Sequence, residues 1–209
     1  MTRIAVLTGD LIASSAATPA DVDRLMQRLA TTAQEAARSL GTDPPRFTRF
    51  RGDGWQIVVS PAPLCLRITA ILLTGLRASD SGIDTRIGIG IGAIDRPGTQ
   101  DLADASGPAF SLSGRALDGL SRTDRLAIAG LPDPALAWHA AALDTLAHFA
   151  ARWSREQAQA LHHRLLAETR PLQQVAADLG ITRQALSSRL AVAGEKPLLA
   201  LIRAAEATP

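Results

Sequence analysis

The sequence is poor in several residue types: it has no tyrosine, two methionines and one cysteine among 209 residues, and only 3% aromatic residues. The single Cys65 excludes an internal disulfide framework and a zinc site built from several cysteines. The longest apolar stretches, such as residues 68–76, are far shorter than the roughly 20 residues that a membrane span needs. The short apolar run at the amino terminus soon reaches Asp10, so we interpret it as a first strand rather than a signal peptide. These absences predict a cytoplasmic protein without a membrane partner.

Charge is also sparse, with a net value of +2 and Lys196 as the only lysine. Residues 152–209 carry eight Lys or Arg side chains against five acidic ones, so the carboxyl-terminal part is the mildly basic one. This asymmetry alone neither indicates nor excludes a nucleic-acid partner.

The first 131 residues alternate between strand-like and helix-like patterns. Thr18 is a candidate N-cap and Pro19 a first helical residue, and Asp-Gly at 53–54 between two alternating segments is typical of a hairpin. The predicted order is a strand at 3–9, a helix at 18–41, a hairpin around 52–54, a helix at 63–76, a strand at 84–94, a helix at 107–120 and a strand at 125–131. This order predicts an α+β fold with a mixed sheet and helices packed on it.

Glycine occupies every second position in the strand predicted at 84–94, at 88, 90 and 92. One face of that strand therefore has no side chains, and the sequence leaves open whether another element crosses there or a ligand lies there.

No strand pattern follows Pro132 and Pro134, and the remaining chain predicts helices at about 135–150, 154–168, 171–179, 183–193 and 197–206. We therefore predict two domains, 1–131 and 132–209.

Asp10 directly follows the first strand, and Asp53 lies at the hairpin tip. If the hairpin pairs with the first strand, the two carboxylates converge and repel unless a cation neutralises them. Carboxylate oxygens are ligands that Mg²⁺ accepts while it keeps waters and takes further ligands from phosphates. The alternative is that Asp10 caps a turn and that Asp53 is an ordinary hairpin residue. The small polar segment after Asp10, residues 11–17, is typical either of a phosphate-contacting loop or of a merely flexible one.

Four segments together resemble the class III nucleotidyl cyclase core: VLTGDLIASS (6–15), RFRGDGWQIVV (49–59), RIGIGIGAI (86–94) and GPAFSLSGRAL (107–117). More closely, the whole chain resembles the SatD family, with its RGDGWQ hairpin, GIGIG strand, GPAF helix and carboxyl-terminal helix-turn-helix. The resemblance implies a ferredoxin-like, palm-type sheet followed by an all-α helix-turn-helix domain.

The cyclase resemblance also implies site residues. Asp10 and Asp53 match its two ligands for Mg or Mn, with a nucleoside triphosphate as ligand or substrate. Arg49 and Asp104 fall on its base-contacting positions, and Gly52 keeps the hairpin tip small enough for a triphosphate. Arg49 has the alternative role of a surface cross-strand residue, and Asp104 that of a loop residue.

Two further matches concern catalysis. Arg115 falls on the arginine that stabilises charge developing on the phosphate, a task suited to a planar guanidinium, unless it is simply solvated. Ser111 replaces the family's asparagine, and the phosphate-binding lysine has no counterpart. The resemblance therefore supports binding better than catalysis.

Residues 171–193 have the pattern of a helix-turn-helix of the sigma-factor region 4 or LuxR type. Val175, Leu179 and Leu186 belong to its apolar face, Gly180 provides the turn, and Thr182 caps the second helix. The predicted DNA-contacting residues of that second helix are Thr182, Arg183, Gln184, Ser187, Ser188 and Arg189. The alternative is a plain helical hairpin used for dimer contact.

Two function classes follow. The first is a DNA-binding transcriptional regulator whose cyclase-like domain binds a metal–nucleotide ligand, with double-stranded DNA as partner. The second is an active Mg- or Mn-dependent nucleotidyl cyclase or nucleotidyltransferase that uses ATP or GTP. Because cyclase sites form between two protomers, either class implies a homodimer.

Overall fold

The structure is a computed structural model that describes residues 3–12, 17–50, 52–79, 82–99 and 101–207. The strands are β1 (Ile4–Leu11), β2 (Phe47–Phe50), β3 (Gly54–Val59), β4 (Thr85–Gly92) and β5 (Leu126–Ala129). The helices are α1 (Pro19–Leu40), α2 (Cys65–Arg77), α3 (Pro108–Asp118), α4 (Ala135–Ala150), α5 (Arg155–Leu166), α6 (Leu172–Asp178), α7 (Arg183–Val192) and α8 (Glu195–Glu206), with a short 3-10 helix (Ala62–Leu64) before α2. Every strand and helix predicted from the sequence is present. Within these residues, no helix is long and apolar enough to cross a membrane.

Helix α1 begins and ends where local chemistry predicts. The Thr18 side chain accepts a hydrogen bond from the backbone N–H of Asp21, and the Asp21 side chain accepts one from the backbone N–H of Thr18. This capping box satisfies backbone donors that the first turn would otherwise leave unpaired. Gly41 ends the helix in the left-handed conformation, with φ of +65°.

The five strands form one mixed sheet in the order β2-β3-β1-β4-β5. Strand β1 lies between β3 and β4 and is antiparallel to both, while β5 runs parallel to β4. The predicted α+β class is therefore confirmed, and the hairpin β2-β3 lies beside the first strand.

The glycine-rich face of β4 is covered by α3. A Cβ added at Gly88 would stand 2.3 Å from the carbonyl oxygen of Ser113, and one at Gly90 would stand 2.1 Å from that of Ala109. Only residues without a side chain allow a backbone to approach this closely. Of the two explanations that the sequence leaves open for these glycines, the structure shows the crossing element.

The opposite face of the sheet carries the core. Trp55, Ile57, Ile87 and Ile89 are fully buried on this face, together with the apolar residues of α1 and α2. The indole N–H of Trp55 donates to the hydroxyl of Thr85 at 3.1 Å, so the one polar atom of this buried side chain is satisfied.

Helix α2 connects the two parts of the chain. All its residues from Cys65 to Leu76 are buried, because α1 packs against one side and α5 against the other. Even Arg67 is only 6% exposed, and it donates to Glu206 of α8 and to Glu168 after α5. The core therefore continues across residue 131, where the sequence places a domain boundary.

Candidate functional site

The hairpin tip lies against the end of β1. Asp10 stands opposite Gly54 in the β1–β3 register, and the backbone N–H of Leu11 donates to the carbonyl oxygen of Asp53 at 3.2 Å. Strand pairing thus brings together two aspartates that lie 43 positions apart in the sequence. Their approach depends on this register, because a shift of one residue would turn Asp10 to the other face of the sheet.

Arg86 is the residue of this site that sequence reasoning missed. It stands opposite Asp10 in the β1–β4 register, and its guanidinium donates to both oxygens of that carboxylate, with Nε 3.0 Å from Oδ1 and Nη2 bonded to Oδ2. The hydrogen bond to Asp10 raises the pKa of Arg86, partial burial opposes this, and the charges of Asp10, Asp118 and Asp53 raise it further. Three carboxylates therefore act on one guanidinium at this end of the sheet.

The sequence does place Arg86 on a particular face of β4. That it meets Asp10 there follows only from the register between β1 and β4. In TRIGIGIG, residue 86 alternates with the glycines at 88, 90 and 92 and so shares their face. Asp118 ends α3, which runs antiparallel to β4 over those glycines and so reaches the neighbourhood of Arg86. Nothing in the spacing of Asp118 along the chain indicates this approach.

The donor set suits a metal ion that brings its own further ligands. The described part of the chain contains no group of three or more His, Cys, Asp or Glu side chains that could hold a metal. Two aspartates alone match Mg²⁺ or Mn²⁺ that keeps waters and is delivered with phosphate oxygens. Both carboxylate oxygens of Asp10 already accept from Arg86, so a metal would have to share or replace that guanidinium.

Arg49 lies on the other face of the sheet. It pairs with Trp55 across the hairpin, whereas Asp10 shares its face with Gly54, and the guanidinium of Arg49 reaches Asp23 of α1 at 2.6 Å. The Nε of Arg49 also donates to the carbonyl oxygen of Gly52, the neighbour of Asp53, although alternation along β2 places Arg49 on the face opposite to Asp10. The predicted base contact of Arg49 stays a prediction. Gly52 lies next to Asp53 with φ of +83°, and nothing lies within 4 Å of the position that a Cβ would take there.

Asp104 belongs to the loop between β4 and α3. Its carboxylate accepts from the backbone N–H of Thr99 at 3.0 Å, and this bond lowers the pKa of Asp104. This contact matches the alternative role of Asp104 as a loop residue. The proposed base contact of Asp104 stays a prediction.

Ser111 and Arg115 lie one helical turn apart on the exposed face of α3. The buried face of the same helix presents Ser113, whose hydroxyl bonds that of Thr8 at 2.7 Å. Both predicted catalytic residues therefore face away from the sheet of their own chain. The predicted phosphate-contacting loop after Asp10 lies largely outside the described residues, as residues 13–16 are not among them.

The carboxyl-terminal helices form a compact unit in which α6 and α7 pack on each other and on α5. Gly180 adopts φ of +64° in the turn, and the hydroxyl of Thr182 accepts from the backbone N–H of Ala185 at 3.1 Å. Val175 and Leu186 are fully buried between these helices. The predicted two helices, turn and cap are present in this segment.

Helix α7 presents most of its predicted polar residues to solvent. Thr182, Arg183, Gln184, Ser187 and Ser188 are all exposed.

Arg189 differs from them because it is only partly exposed. Bonds from its own backbone N–H and from the Ser154 hydroxyl hold the pKa of Glu156 down, and the charge of Arg189 adds to this effect. Arg189 is therefore less accessible than the other five residues, and its predicted DNA contact stays a prediction.

Comparisons with known proteins add little to this description. No protein family and no curated protein matched the chain. Among solved structures, the chain is similar to the guanylyl cyclase Cya2, with 17% identity and a TM-score of 0.41 over 56% of this chain and 69% of that one. At this distance the likeness assigns neither family nor activity.

Proposed function

We propose that the protein is a DNA-binding transcriptional regulator whose palm-type α/β part binds a metal–nucleotide complex. The observation that carries the proposal is the strand register, which places the hairpin tip with Asp53 beside Asp10 and pairs Asp10 with the guanidinium of Arg86. The order β2-β3-β1-β4, in which a split βαβ arrangement places the hairpin beside β1, is the topology expected of a palm.

The charges of the site favour a phosphorylated ligand that arrives with a cation. Asp10, Asp53 and Asp118 would repel a bare triphosphate, so a divalent ion has to bridge the carboxylates and the phosphates. Arg86 offers a planar donor set that matches phosphate oxygens in bidentate geometry. Mg²⁺ or Mn²⁺ would be held by Asp10 and Asp53, and it would supply charge neutralisation between protein and phosphate.

The DNA-binding half of the proposal rests on α7. Its exposed row of Arg183, Gln184, Ser187 and Ser188 has the hydrogen-bonding groups that contact phosphates and base edges in a major groove. Only one arginine of α7 is fully exposed, so a single copy makes few phosphate contacts. A homodimer that binds two half-sites would supply the missing affinity.

A second candidate is a nucleotidyl cyclase type of phosphorus–oxygen lyase. The observation that favours it is the outward position of Ser111 and Arg115, which would be available to the carboxylate site of a second copy. In that arrangement, Arg115 would stabilise charge on the phosphate and Ser111 would hold a hydroxyl or a water.

One experiment tests nucleotide binding and separates the candidates. The purified protein is mixed with Mn²⁺ or Mg²⁺ and with ATP or GTP, and its melting temperature and any pyrophosphate and cyclic product are measured. The regulator predicts a rise in melting temperature without product, and the rise should disappear in Asp53→Asn but persist in Asp144→Asn, an exposed aspartate of α4. Product formation that needs Asp53 would replace the regulator with the cyclase, and no stabilisation by any pair would refute nucleotide binding.

A second experiment tests DNA binding with a random-sequence duplex pool. We expect the wild-type protein to enrich specific duplexes, and the double variant Arg183→Ala/Gln184→Ala to lose this enrichment. Arg189→Ala should weaken the enrichment less than the double variant does, because Arg189 is only partly exposed. Equal enrichment by the double variant would remove α7 as the recognition helix.

A further inference from the structure

Arg86 holds the place in the carboxylate site that a cation would take. The β1–β4 register fixes Asp10 and Arg86 side by side, and the guanidinium uses both oxygens of the carboxylate. The side chains are 26% and 33% exposed, so a ligand from solvent can reach the pair.

The backbone beneath the pair is fixed, so any rearrangement must come from the arginine side chain. The hydroxyl of Thr85 donates to the carbonyl oxygen of Asp10 at 2.7 Å, and the backbone N–H of Ile12 donates to that of Asp84 at 2.8 Å. These bonds tie the ends of β1 and β4 together, whereas Arg86 can rotate about its own side-chain torsions.

A metal ion and Arg86 compete for the same oxygens. A free divalent ion must displace a bidentate guanidinium from Asp10 and offers that guanidinium no new acceptor. A metal–nucleotide complex also brings phosphate oxygens, which accept from guanidinium with the same planar geometry. A free metal ion would therefore leave the Arg86 guanidinium unpaired. When metal and phosphate arrive together, Asp10 pairs with the metal and Arg86 pairs with the phosphate.

We propose that Arg86 is the internal counter-ion of Asp10, and that it exchanges Asp10 for a phosphate group when a metal–nucleotide complex binds. This inference rests on the proposed nucleotide site and adds a specificity to it: the site selects the complex over the free metal. Arg86 is then a positioning residue for the carboxylates before binding and a phosphate donor afterwards.

The test uses two measurements on the full chain, with Arg86→Gln and with Arg38→Gln, an exposed arginine of α1, as control. Binding of Mn²⁺ alone is followed by its electron paramagnetic resonance signal, and binding of the preformed Mn–ATP and Mn–GTP complexes is followed by equilibrium dialysis. We expect Arg86→Gln to bind Mn²⁺ alone at least tenfold more tightly than wild type, and the preferred complex at least tenfold more weakly. The control should match wild type in both.

The opposite signs distinguish the counter-ion role from a structural one, because a damaged site would weaken both measurements. The gain for Mn²⁺ alone should vanish in Arg86→Gln/Asp10→Asn. If Arg86→Gln does not fold, the wild-type protein still decides, since equal affinities for Mn²⁺ and for the complexes would overturn the inference. If wild type binds neither complex, the proposed nucleotide function is wrong. If Arg86→Gln binds Mn²⁺ as wild type does, only the counter-ion role of Arg86 is wrong.

Discussion

The carboxylate site and the α6–α7 unit are built in opposite ways. Asp10 and Arg86 come from two neighbouring strands and Asp53 from the hairpin tip, and they meet only because the sheet has one register. The exposed row of α7 comes from ten consecutive residues whose directions follow from helical periodicity. A site assembled from distant elements is thus sensitive to changes in the framework, whereas a site on one helix is sensitive mainly to its own residues.

The largest expected effect is on the crossing of α3 over β4. Gly90→Ala would place a methyl group 2.1 Å from the carbonyl oxygen of Ala109, so the backbones must separate. We expect a loss of about 3 kcal/mol in the free energy of unfolding, together with weaker nucleotide binding. Gly114→Ala is the matched control, because nothing lies within 4 Å of its added Cβ. Urea denaturation measures the free energy of unfolding of both variants. An unchanged free energy of unfolding in Gly90→Ala would show that the close approach of α3 and β4 does not stabilise the fold.

A smaller effect is expected at the junction of the two regions. Arg67→Met removes the cation that the partly buried Glu168 and Glu206 share and leaves Glu168 only the exposed Arg203, which should cost about 2 to 3 kcal/mol. Arg24→Met, which breaks an exposed ion pair with Asp21, should cost at most about 1 kcal/mol.

Tryptophan fluorescence reports on both regions during this denaturation, since Trp55 lies in the sheet and Trp153 before α5. One shifted transition in Arg67→Met would mean that the regions unfold together. Two transitions would mean that α2 joins them only through this ion cluster.

A still smaller effect is expected in the helical unit. Thr182→Ala removes the cap of α7 and should lower the free energy of unfolding by about 1 kcal/mol. Thr182→Ser keeps the acceptor and should be close to wild type. The nucleotide-induced rise in melting temperature should be unchanged in both variants. A smaller rise in Thr182→Ala would show that the carboxylate site depends on the α6–α7 unit.

The smallest effect concerns pH at the contact between α2 and α5. Burial lowers the pKa of His162, and the charge of Arg28 lowers it further, while the contact with Glu35 opposes both. The unfolded chain then takes up a proton more readily than the folded one, so stability is full above the ordinary histidine pKa of about 6.5 and falls as pH drops below it. His162→Gln should flatten this dependence, measured as melting temperature from pH 7.5 to pH 5. An equally steep decline would assign the proton to another group, such as His163, whose pKa burial also lowers.

The sequence by itself determined the elements and the faces of single helices. Thr18, Gly41, Gly180 and Thr182 mark helix ends because caps and left-handed turns are local events. The Asp-Gly dipeptide marks the hairpin for the same reason, and the elements came in the order that the patterns predict.

Only the tertiary structure decided which side chains meet. Alternation along β2 places Arg49 on the face of the sheet opposite to Asp10, where it binds Asp23 of α1. Strand pairing places Arg86 against Asp10, and the antiparallel path of α3 brings Asp118 near, contacts that no spacing along the chain encodes. The physical reason is that strand register and helix crossing are set by packing between distant segments, whereas capping and periodicity act within a few residues.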